Sequence, residues 1–129
     1  MITSLYVGIL GLIYFKISLD TIKGRRSSKI SLGAGENNQI LHLVSAHNNF
    51  SSYAPLFIIC LFLLESQGFN SMVLHLISIG FVVGRLLHYL SMKDKEMDFK
   101  LRVLGMQLTL WPLIIFFVLN ISLYVKKFF

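Results

Sequence analysis

The chain has 129 residues, 55% of them hydrophobic and 14% charged, with a positive mean hydropathy. Soluble domains carry about 25% charge and roughly 45–50% apolar residues, so an ordinary water-soluble globule fits poorly. Intrinsic disorder, which needs low hydrophobicity, is excluded. Residues 1–15, 37–64, 66–84 and 103–125 contain no Asp, Glu, Lys or Arg, and the last three runs are 28, 19 and 23 residues long. About 20 helical residues cross a hydrocarbon core of roughly 30 Å. The pattern predicts an all-α integral membrane four-helix bundle in one domain over 1–129. Four spans leave no room for a separate soluble catalytic unit, so any function belongs in the bundle or on its loops.

In chain order, the first helix is expected at about 3–23, with Lys16 and Asp20 four residues apart and able to face each other. It lacks the basic n-region and cleavage site of a secretory signal, and reads as a retained helix followed by a basic anchor. Residues 24–38, with Gly24, Gly33 and Gly35 as breakers, form the longest loop. The second helix spans about 39–66 and carries Pro55, which removes one backbone donor. A short turn leads to the third helix at about 71–92. There Gly80 and Gly84 have the small-xxx-small spacing that lets helices approach closely in lipid. A charged turn at 93–98 precedes the fourth helix at about 99–125.

The formal net charge is +6. No aromatic–basic interleaving of a nucleic-acid reader is present, and the cations are better read as topology and headgroup anchors. Lys23, Arg25, Arg26 and Lys29, with Lys93, Lys95, Lys100 and Arg102, lie on one side; Lys126 and Lys127 lie on the other. The positive-inside rule places both charged loops in the cytoplasm and both termini outside. Cys60 is the single cysteine, so no intrachain disulfide forms, and it reads as a small buried residue.

Chemistry concentrates in the second helix. His42, Ser45, Asn49, Ser52 and Tyr53 are spaced to share one face. A polar stripe at membrane depth must face protein or a wet cavity. It serves either as interhelical glue or as a ligand site. His42 and His47 are five apart, with no Cys or carboxylate nearby, so no metal site is expected. In the third helix Arg85 and His88 share a face. An intramembrane arginine marks a functional site by default, unless it snorkels or pairs with a group such as Asp20. Arg102 is a site residue or a headgroup anchor. A proton-coupled exporter needs a carboxylate inside the membrane, and Asp20 and Glu65 sit near span ends.

The four-helix layout and the loop Arg25-Arg26-Ser-Ser-Lys29-Ile-Ser31 resemble those of the MAPEG family, the membrane-associated proteins of eicosanoid and glutathione metabolism. So do the run Ala46-His47-Asn48-Asn49-Phe-Ser-Ser-Tyr53-Ala-Pro55, the end Gly84-Arg85-Leu-Leu-His88 and the start Arg102-Val-Leu-Gly105, most closely in small bacterial members. The resemblance implies a left-handed bundle assembled as a homotrimer in a bacterial inner membrane, with glutathione held between subunits. It implies a glutathione S-transferase or peroxidase acting on lipophilic substrates. Asn49 and Tyr53 match glutathione-contacting positions, Arg25 or Arg26 matches a basic position, and His88 falls where relatives have tyrosine or histidine. Arg85 joins them as a candidate for binding, and Arg102 matches the arginine that stabilises the thiolate. Relatives usually carry arginine at the position of Ser45 and glutamate at that of Ser52. Losing two charge-assisted contacts, each worth about 1.5–3 kcal/mol, leaves open a non-catalytic scaffold with a degenerate site.

Overall fold

The structure is a computed structural model and describes residues 1–128. It contains four helices: α1 (Ile2–Ser28), α2 (Asn38–Ser66), α3 (Ser71–Met92) and α4 (Phe99–Phe128). The shortest, α3, has 22 residues, about 33 Å at 1.5 Å per residue, so all four are long and apolar enough to cross a bilayer. Among the described residues there is no strand. The expected all-α, four-span fold is observed.

The main departure from the expected bounds is the end of α1, which runs to Ser28 instead of about 23. Gly24 does not break it. The missing side chain lets α1 close on α2, since a Cβ there would meet Leu43 Cδ1 at 2.8 Å and Ile40 Cδ1 at 3.1 Å. The helix stops at Lys29, whose left-handed backbone (φ 54°) turns the N–H groups of Lys29 and Ile30 back onto the carbonyls of Arg26 and Arg25, satisfying groups that a helix C-terminus otherwise leaves open. The connecting loop shrinks accordingly. α2 and α4 continue through Pro55 and Pro112.

Asn37 and Asn70 cap α2 and α3 by accepting from the N–H groups of Ile40 and Val73, and Asp98 caps α4 through the N–H of Leu101. α1 has no side-chain cap of its own. Its first turn is closed by Glu65 at the far end of α2, whose carboxylate accepts from the N–H groups of Ile2 and Thr3.

In the core, Phe57 stacks on Phe81 at 3.8 Å and on Phe116 at 5.0 Å, joining α2, α3 and α4. Tyr6, Leu10 and Ile17 bring α1 into the same core. Among the described residues the backbones of α1 and α4 make no close approach, and the two helices lie diagonally across the bundle. Leu12, Phe15, Ile59, Leu76, Trp111 and Ile121 face outward. A water-soluble monomer does not expose so many large apolar groups on every helix; hydrocarbon accommodates them.

The α3–α4 pair is the tightest. A Cβ on Gly84 would lie 2.8 Å from the backbone carbon of Leu108, and one on Gly105 would lie 2.6 Å from the backbone nitrogen of His88. Two glycines on opposite helices thus set a backbone-to-backbone crossing, as small residues do in membranes. Gly80, the other half of the expected motif, makes only ordinary contact with Pro112.

Candidate functional site

This crossing places Arg85 between α2 and α4. Its side chain is 1% exposed. Nε donates to Thr109 Oγ1 at 2.8 Å and Nη1 to Asn49 Oδ1 at 2.6 Å; Nη2 also donates to Thr109 Oγ1 and reaches Met106 Sδ at 3.6 Å. The guanidinium lies over the rings of Tyr53 and Phe81, 5.4 and 5.8 Å from their centroids. Every partner is neutral. A buried ion is tolerated only when hydrogen bonds replace water, and here Asn49, Thr109 and two aromatic faces supply the substitute.

Asn49, Tyr53 and Arg85 are therefore brought together, with Thr109 of α4 as a further partner. Arg85 does not pair with Asp20. That carboxylate accepts from Lys16 Nζ at 2.5 Å and from the Tyr89 hydroxyl, on the α1 side of the bundle. His88 is buried beside this cluster and lies within electrostatic range of both Arg85 and Arg102.

Arg102 is different. It is half-buried at the start of α4, and the one side-chain partner it has among the described residues is Met97 Sδ, 3.4 Å from Nη1. Among the described residues no carboxylate lies within ion-pair distance of it. Arg25 holds the loop after α1, donating to the carbonyls of Ser31 and Gly33, while Arg26 is exposed.

The polar stripe of α2 divides. Asn49 and Tyr53 turn inward to Arg85. Ser52 is exposed and donates to the carbonyl of Asn48 in its own helix. His42 approaches the carbonyl of Asp94 at 3.3 Å, and His47 packs on the ring of Tyr14. Asn120 donates to the carbonyl of Cys60 at 3.3 Å and ties α4 to α2. Among the described residues, no three His, Cys, Asp or Glu side chains are grouped to hold a metal. An apolar groove of about 330 Å³ between α1 and α2, lined by Leu10, Tyr14, Phe50 and Pro55 among others, contains none of the candidate site residues.

Four membrane-length helices, an arginine buried between three of them and a second arginine left open at the head of α4 define a polytopic membrane bundle with a cationic centre. Residues 3–122 match the MAPEG family, and the chain belongs to that family. It is similar to inner membrane protein YecN of Escherichia coli strain K12 and to that of strain O6:H1, with 26% identity over 121 residues in each case, covering 94% of this chain and 91% of the relative. With the four apolar helices, this likeness supports a multi-pass inner membrane protein.

Proposed function

We propose that this protein activates glutathione for attack on lipophilic electrophiles or hydroperoxides. The observation that carries the reading is the state of Arg102: half-buried, with one thioether partner and, among the described residues, no carboxylate within ion-pair distance. A guanidinium in that condition attracts an anion and favours a thiolate over its thiol, whose ordinary pKa is about 8.5. In this reading Asn49, Tyr53 and Arg85, which are joined to one another, and His88, in electrostatic range of both arginines, contribute to binding glutathione, and Arg25 and Arg26 supply positive charge at the same end of the bundle. The reading includes a homotrimer with glutathione between subunits, and charged loops on the cytoplasmic side.

A non-catalytic scaffold is the second reading, and one observation favours it. The oxygen of Asn49 is already taken by Arg85, and Ser45 and Ser52 offer no charge to a zwitterionic peptide. The deciding experiment is glutathione-dependent turnover of a model electrophile by the purified protein, beside the thiolate absorbance of bound glutathione. Activity and thiolate that both disappear in Arg102→Gln support the enzyme. No turnover and no binding at millimolar glutathione support the scaffold.

A further inference from the structure

A cleft of about 410 Å³ opens between α1, the start of α2 and the end of α3. It lies at the end of the bundle that carries both charged loops, and none of the candidate glutathione residues lines it. Small-ligand sites occupy roughly 300–1,000 Å³, so its size fits a small group. Lys23, Gln39, Lys93 and Asp94 converge on it, with Leu43 as an apolar wall. Asp20 also reaches the cleft; it accepts hydrogen bonds from Lys16 and Tyr89 and lies within electrostatic range of Lys23 without bonding to it. By contrast, the side chains of Lys23, Gln39, Lys93 and Asp94 have no hydrogen-bond partner among the described residues. Two ammonium groups and one amide donor therefore share a concavity with one free carboxylate without pairing among themselves.

We propose that this cleft binds a phosphoethanolamine group, with the phosphate between Lys23 and Lys93 and the primary ammonium at Asp94. Lysine is a point-charge donor suited to phosphate oxygens, and Gln39 adds a neutral donor. Asp94 accepts from an N–H, which a primary ammonium has and a quaternary one lacks. The site therefore prefers ethanolamine over choline headgroups. It also prefers ethanolamine over glycerol headgroups, which bring a phosphate but no cation to Asp94. The inference stands apart from the glutathione reading and uses none of its residues. The group has two sources, the headgroup of phosphatidylethanolamine and free phosphoethanolamine.

The test is native mass spectrometry of the full chain released from micelles holding equal amounts of phosphatidylethanolamine, phosphatidylglycerol and phosphatidylcholine. Phosphatidylethanolamine is expected to be retained over the other two. Lys23→Gln with Lys93→Gln lowers that retention about tenfold, in keeping with loss of charge-assisted contacts. Asp94→Asn removes the preference over phosphatidylglycerol. Lys126→Gln with Lys127→Gln takes the same charge from the opposite end and leaves the ratios unchanged. All of these positions are exposed, so the variants keep the bundle intact. Displacement of the lipid by millimolar phosphoethanolamine supports the site with the free compound as a ligand; resistance to displacement, with the preference intact, supports it with the lipid as the ligand. Equal retention of the three lipids, or a preference for phosphatidylglycerol unaffected by Asp94→Asn, overturns the proposal.

Discussion

Arg85 and Thr109 meet in the buried interface of α3 and α4, with Nε of the arginine 2.8 Å from Oγ1 of the threonine. The threonine hydroxyl donates in turn to the carbonyl of Gly105 at 2.8 Å, so its lone pairs face the guanidinium. One hydroxyl thus fixes the arginine and ties it to the glycine that sets the helix crossing.

The first prediction follows from that chain of bonds. Thr109→Val keeps the volume but removes an acceptor from a buried ion, and it should destabilise the bundle by about 1.5–3 kcal/mol. Asn49→Leu should act in the same direction. Arg85→Met removes the charge itself and leaves only neutral groups behind, so it should be milder than either, because an orphaned buried charge is worse than an apolar replacement. Unfolding titrations in mixed micelles measure the order. An Arg85→Met variant weaker than both others would show that the guanidinium, and not its partners, holds the helices.

A second prediction separates glycines by what surrounds them. Gly84→Ala and Gly105→Ala place a Cβ under 3.0 Å from backbone atoms of the facing helix, and backbone cannot swing aside as a side-chain tip can. Both should force α3 and α4 apart and lower stability. Gly8 and Gly11 have nothing within 4 Å of an added Cβ. Alanine there should be neutral or stabilising by roughly 0.5–1 kcal/mol, the usual helix-interior difference. Thermal stability of the four single variants tests the contrast.

The same contacts show which features could be read in the chain. Spans were legible because hydrocarbon excludes charge, so runs such as 66–84 mark themselves. The pairing of Lys16 with Asp20 was legible because helical periodicity alone sets it. The contact of Arg85 with Thr109 was not, since it depends on how two helices cross; Gly105 and Thr109 do have the small-xxx-small spacing, but that spacing does not say which helix packs against it. The extension of α1 to Ser28 escaped for a related reason: Gly24 weakens a helix locally, and only packing against Ile40 and Leu43 reverses the balance. Asn49 and Tyr53 were read as one stripe with Ser52, yet the bundle turns the first two inward and leaves the serine outside.

Glu65 supplies a third prediction. Its carboxylate accepts from the N–H groups of Ile2 and Thr3, acting as a helix cap delivered from another helix. Glu65→Ala should cost about 0.5–2 kcal/mol, as loss of a cap does, and the change should be local. Amide exchange should speed up through the first turn of α1 and stay unchanged at the Arg85 crossing. Uniform loss of protection along all four helices would contradict a capping role.

Orientation gives a fourth. Eight cations flank the two charged loops and two lie near the end of α4, a bias that should place those loops in the cytoplasm. A reporter active only outside the cytoplasm should work when fused after α4 and fail when inserted between Lys93 and Asp98. The opposite result reverses the topology.

The last prediction addresses the two serines. Ser45 is half-buried and Ser52 exposed, so neither belongs to the fully buried core. Ser45→Arg with Ser52→Glu should therefore fold, and it should add a bidentate donor for a carboxylate and an acceptor for an ammonium group. Each contact is worth about 1.5–3 kcal/mol, so the double variant should bind glutathione at least about tenfold more tightly than the native chain. Calorimetry on both proteins, with and without Arg102→Gln, reads the outcome. Native binding that needs Arg102 and strengthens in the double variant supports an enzyme whose peptide anchors are weak. Binding confined to the double variant supports the scaffold, in which the network of Arg85 and Asn49 serves the bundle alone.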